Sequence, residues 1–124
     1  MREVAAVAVG GAIGATLRWG IGTWMVGRTG AGFPWHTMLI NVVGAFLIGV
    51  LMALSVERGV VSGDWRLFLG TGVLGGFTTF STLSYESIAL MQSGLWSAGF
   101  VNMFGSAILG LGAAWIGIVV GRAV

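Results

Sequence analysis

Four apolar runs, each long enough to cross a bilayer, take up most of the chain and leave only short polar intervals between them. A helix needs about 20 mostly apolar residues to cross a hydrocarbon core of about 30 Å. The first run extends from Val4 to Val26 and the second from Trp35 to Val56. The third extends from Leu67 to Met91, with Trp65 and Arg66 as its entry flank, and the fourth from Trp96 to Val120. The expected architecture is an all-α membrane protein: one domain, residues 1–124, of four transmembrane helices, with no stretch left over for a soluble domain.

Composition enters here as a test of that reading. Charged residues make up 8% of the chain, against roughly a quarter in soluble domains. A small domain keeps too much of its chain at the surface to be covered by so few charges. An ordinary soluble enzyme and a disordered tail are both excluded. The basic balance comes from six arginines against four acids. They are scattered singly, so the clustered footprint of a nucleic-acid binder is missing. With no cysteine there is no disulfide framework, thiolate metal site or thiol nucleophile. No paired carboxylates, histidine-rich ligand set or nucleophile–base pair points to an enzyme. No phosphate-binding loop points to an ATP-driven pump.

The punctuation agrees with four spans. Arg28, Thr29, Gly30, Gly32 and Pro34 make the first connection. Glu57, Arg58, Gly59, Ser62, Gly63 and Asp64 make the second, and Gln92, Ser93 and Gly94 a tight third. Trp19, Trp24, Trp35, Trp65, Trp96 and Trp115 mostly fall near span ends, as an interfacial belt does. The first run is read as a retained helix rather than a leader peptide, because glycine recurs through it and three more spans follow. Arg2, Arg58, Arg66 and Arg122 fall on the side of the N-terminus and Arg28 on the other, a modest bias toward a cytoplasmic N-terminus. Gly10, Gly11, Gly14 and Ala15 in helix 1, and Gly105, Gly110 and Gly112 in helix 4, permit close backbone approach. They serve either packing within the chain or a homo-oligomer, of which a two-fold dimer is the commonest form.

A polar side chain in a span is costly unless it is paired or faces a cavity. In helix 2, Thr37 and Asn41 are four residues apart and share a face. Asn41 reads either as an interhelical hydrogen bond or as a donor lining a pathway, and His36 as interfacial. In helix 3, residues 70 to 84 combine Gly75-Gly76 with Thr78, Thr79, Ser81, Thr82 and Ser84. The glycine pair weakens the helix and the hydroxyls compete for its backbone bonds. A break at the helix centre is expected, and irregular backbone at that depth must be buried in protein or line water. Freed carbonyls there can hold a cation, while hydroxyls and amides donate to an anion. Phe77 and Phe80 are interleaved with the hydroxyls, and a ring edge is electropositive. In helix 4, Asn102 and Ser106 share a face that Gly110 continues. Glu86 and Arg18, the two charges well inside the spans, either pair with each other, lie at aqueous vestibules or snorkel to an interface.

These residues resemble the Fluc (CrcB) family of fluoride channels over the whole chain. The resemblance rests on Gly10-Gly11-Ala12-Ile13-Gly14-Ala15-Thr16-Leu17-Arg18-Trp19 and on Thr37 through Gly49 around Asn41. The most specific stretch is Gly75-Gly76-Phe77-Thr78-Thr79-Phe80-Ser81-Thr82. The resemblance implies an antiparallel, dual-topology homodimer in the inner (plasma) membrane of a bacterium or archaeon. It implies two fluoride pores, passive export of fluoride, and a structural sodium ion on the dimer axis held by main-chain carbonyls of Gly75 and Thr78. By motif position Asn41 is the pore asparagine, Phe80 the first pore phenylalanine, and Ser81 and Thr82 the polar track beside it. Thr37 and Ser106 fall on the same track. The chain departs from the family at Leu83, where a second pore phenylalanine is usual, at Asn102, where an aromatic hydroxyl is often found, and at Gly110, which lacks a hydroxyl. Short neutral donors suit fluoride independently, since they replace its water without a fixed charge that would trap it. The competing reading is a small proton-coupled multidrug exporter, for which Glu86 is the only intramembrane acid.

Overall fold

The computed structural model describes residues 1–124. Four helices are long and apolar enough to cross a membrane: α1 (Arg2–Thr29), α2 (Trp35–Glu57), α3 (Gly63–Gln92) and α4 (Trp96–Ala123). Each contains the run expected from the sequence and extends it by a few residues at one or both ends. All four are predominantly apolar, so the bundle is inside-out by the standard of a soluble domain. Only 21 of 124 residues are buried, and every one of the six tryptophans points outward. Leu39, Leu47, Ile88, Ile108 and Leu111 face outward with them, the pattern of a surface meant for lipid or another helix. The connections turn at Gly30, Gly59 and Gly94, each with positive φ.

Without a hydrophobic drive between helices, close backbone approach holds such a bundle together. Two seams supply it. Between α1 and α3, a Cβ at Gly14 would collide with the Val73 carbonyl, and one at Gly10 would meet the Phe68 carbonyl at 2.7 Å. A Cβ at Gly76 would likewise meet the Gly11 carbonyl, at 2.5 Å. Between α2 and α4, Gly49 packs on the Ala114 carbonyl and Gly117 on the Phe46 carbonyl. Gly10 and Gly14 of α1 therefore work inside the chain, whereas Gly112 of α4 has open space around it. π-helical turns widen α2 at Ala53–Glu57, α3 at Leu67–Leu74 and α4 at Val101–Gly105.

Two residues near the middle of α3 leave helical geometry. Gly75–Phe77 is still α-helical, so the glycine pair itself is not the irregular point. Thr78 and Thr79 are extended (φ −83, ψ 157 and φ −153, ψ 117), and the helix resumes at Phe80–Gln92. Gly117→Val should lower the thermal unfolding temperature in detergent sharply, because its branched side chain meets backbone that cannot rotate away. Gly112→Ala should leave that temperature unchanged. Equal melting curves for both would remove the α2–α4 seam from the account of stability.

Candidate functional site

A two-residue extended segment inside a span frees backbone groups that hydrocarbon cannot solvate, so each needs a partner. Asn41 of α2 supplies two. Its Nδ2 donates to the Thr79 carbonyl at 3.0 Å, and its Oδ1 accepts from the Thr79 N–H at 2.8 Å. An asparagine side chain has the same donor and acceptor as a peptide unit, which is why it can stand in for a missing helical turn. Thr79 then caps the second half of α3: its hydroxyl accepts from the Thr82 N–H at 3.2 Å and donates to the Thr82 hydroxyl at 3.0 Å. An oxygen side chain at this position meets the unpaired N–H groups of a starting helix. The Ser81 hydroxyl lies 3.3 Å from that of Thr79. On the other side, Thr78 spends its hydroxyl on the Leu74 carbonyl at 3.0 Å. Arg18 of α1 donates its Nε to the Gly76 carbonyl at 3.0 Å, placing a cation at the C-terminal end of a half-helix, where the dipole favours it.

Two cavities adjoin this segment. A groove of about 680 Å³ is bordered by Asn41, Gly75, Thr78, Thr79, Phe80 and Ser106 among others. Its wall is mostly apolar, and Leu83, which is buried, forms part of it beside Phe80. A smaller cavity of about 390 Å³ is bordered by Arg18, His36, Thr37, Thr79 and Thr82. Thr79 borders both. Of the residues singled out from the sequence, the structure thus brings Asn41, Gly75, Thr78, Phe80 and Ser106 to one cavity and Thr37 and Thr82 to the other. Phe80 is 73% exposed in the single chain, whereas Phe77 is buried and borders neither cavity. Ser81 is exposed at the surface and also borders neither.

The remaining polar groups are more connected than their spacing revealed. Arg18 and Glu86 do not pair. Glu86 Oε1 accepts from the Thr37 hydroxyl at 2.9 Å and lies 3.3 Å from His36 Nε2. Asn102, fully buried, donates to the Ser87 hydroxyl at 3.0 Å, which itself donates to the Leu83 carbonyl at 2.7 Å. Glu86 Oε2, Asn102 Oδ1 and Ser106 Oγ are buried without a partner in the chain. Thr79, the hub of the segment, drew no separate attention in the sequence beyond its place in the hydroxyl run. A capping threonine two residues after a glycine pair and a phenylalanine was the available signal. No cluster of three or more His, Cys, Asp or Glu side chains forms.

Fold and site together define a multi-pass helical membrane protein whose third span opens at its centre between two cavities and is held there by an amide from a neighbouring span. The chain belongs to the CrcB family: the family described as CrcB-like protein, Camphor Resistance (CrcB), matches residues 5–118. It is 54% identical over 117 residues to a protein of Thermus thermophilus named fluoride-specific ion channel FluC, covering 94% of this chain and 91% of that one. It is 51% identical over 123 residues to a FluC from another strain of that species, covering 99% and 98%. A FluC of Chloroflexus aurantiacus is 48% identical over 122 residues, covering 98% of this chain and 97% of the relative.

Asn41→Leu should orphan the Thr79 N–H and carbonyl together, at a cost of about 1–3 kcal/mol for each group. Thermal unfolding in detergent should therefore fall well below that of the parent chain. A variant that melts with the parent would show that the pairing carries no stability.

Proposed function

We propose that this chain is a passive fluoride channel that works as an antiparallel, dual-topology homodimer in the plasma membrane of its host and lets fluoride leave the cytoplasm. The observation that carries this reading is the opened centre of α3, with Asn41 paired to Thr79 between two cavities lined by hydroxyls, an amide and an exposed Phe80 ring. The names of the relatives supply the ion. Asn41 keeps one amide proton free after its bond to Thr79, the hydroxyls of Thr82 and Ser106 border the cavities as further short donors, and that of Thr37 joins them once released from Glu86. Such groups exchange for the water of a small anion without trapping it. Phe80, exposed in the single chain, turns a ring edge to the anion once a second copy covers the larger groove. Leu83 contributes apolar bulk where the family usually has a second ring.

Dimerisation is supported by the shape of the larger groove, which one chain leaves open along Gly75, Thr78 and Phe80. The residues also fit a structural sodium ion. Gly75 and Thr78 border the same groove, and the Thr78 hydroxyl is already committed to Leu74, so what each has left to offer is a carbonyl oxygen. Hard cations take oxygen donors. Two carbonyls from each of two subunits would hold the ion where the chains meet, and the ion would tie the two opened spans together. A proton-coupled exporter is disfavoured by the position of Glu86, whose partner His36 is the second residue of α2, near the end of the span rather than its middle.

Purified protein in liposomes should release fluoride rapidly, read by a fluoride electrode, with negligible chloride release. Phe80→Ile should abolish most of the flux while the dimer persists on size exclusion. Asn41→Asp should cut it by at least about tenfold, the factor given by 1.4 kcal/mol of added repulsion. Slow or absent release from folded protein would overturn the channel reading. Replacing sodium by a bulky organic cation should weaken dimer assembly, measured by cross-linking, and the same replacement should have little effect after Thr78→Pro, which disturbs the carbonyl site itself.

A further inference from the structure

His36 and Glu86 form the one histidine–carboxylate contact set into the spans, and the anion pathway described above makes no use of it. It sits at a junction. His36 borders the cavity shared by Thr37, Thr79 and Thr82, and it also borders a third cavity of about 440 Å³ lined by Tyr85 and Glu86. The side chains are part-buried, 25% exposed for His36 and 19% for Glu86, so protons reach them while water screens them poorly. Glu86 Oε1 holds the only hydroxyl proton of Thr37, and Oε2 is buried with no partner. Opposing charge from other elements is limited. Arg18 of α1 borders the same cavity as His36 but has its Nε on Gly76. Tyr85 is the other titratable group beside it on α3. On α4 the sole charge, Arg122, is paired with Glu57 at the opposite end of α2. Arg28, in the last turn of α1, lies over the Trp24 ring at 4.6 Å.

We propose that His36 and Glu86 form a proton-responsive mouth to the conduction path, so that anion flow rises as pH falls. With His36 neutral, the Glu86 carboxylate repels an incoming anion and holds the Thr37 hydroxyl away from it. Protonation of His36 cancels that charge at the junction. Histidine as a residue type changes charge between about pH 5 and 8, which sets the range over which the response is sought. This inference rests on the channel reading and deepens it by assigning a control to the entrance.

The test is voltage-driven fluoride current across planar bilayers, with equal fluoride and equal pH on both sides, stepped from about pH 8 to about pH 5. Neutral acid carries no current, so the current reports the anion alone when pH is equal on both sides. The parent chain should gain current severalfold toward the acid end. His36→Gln should give a flat profile at the alkaline level of the parent. Glu86→Gln, whose amide oxygen still accepts from Thr37, should give a flat profile at the acid level. A flat parent profile, or a slope that survives in His36→Gln, overturns the proposal while leaving the channel intact. The parent profile decides alone if a variant does not assemble. Absence of current at every pH overturns the channel reading and this one with it.

Discussion

The Asn41 amide holds the Thr79 peptide from both sides, and the opened centre of α3 depends on that pair of bonds. Hydrocarbon offers no water to an exposed N–H or carbonyl, so a span can leave helical geometry only where another group replaces what it loses. Asn41 replaces the bonds at Thr79, the Thr79 hydroxyl replaces one at Thr82, and Arg18 takes the Gly76 carbonyl. The three come from different helices. The segment is therefore a product of the bundle and would not survive in an isolated α3.

The same economy explains why polar side chains recur in a chain with so few charges. Thr37, Asn41, Thr78, Thr79 and Thr82 each have a partner within the chain. Networks of this kind are stable when every member is satisfied and costly when one is not. Against that background Glu86 Oε2, Asn102 Oδ1 and Ser106 Oγ stand out, since they are buried and unpaired. Ser106 borders the larger groove, while Asn102 lies among α3 and α4, tied to Ser87. Asn102 is thus a short amide turned into the interior of the chain.

Span number, span limits and family could be read from the chain because they follow from local rules: the length that crosses a bilayer, the glycines and proline that interrupt it, and strings of neighbouring residues. Pairing across helices could not. The bond between Asn41 and Thr79 joins residues 38 apart, and no periodicity within one span announces it. Arg18 and Glu86 were left open between a mutual pair and separate sites, and the structure separates them, because Arg18 sits nearer a freed carbonyl than a carboxylate. His36 read as an interfacial residue until α3 brought Glu86 to within 3.3 Å of it. Phe77 and Phe80, three residues apart, were told apart only by the resemblance, which gave the pore role to Phe80. The extended pair between them sends one ring into the interior of the chain and the other out.

The glycine seams have an entropic consequence. Where Gly14 lies on Val73 and Gly117 on Phe46, helix meets helix through main chain alone. Ordering a long side chain at an interface costs up to about 2 kcal/mol of rotamer freedom, and glycine has none to lose. In lipid, where burying apolar surface against another helix brings no hydrophobic gain, a contact that immobilises nothing can be favourable through dispersion alone. The bundle can thus close on itself without ordering the large side chains, which are left on the outer face.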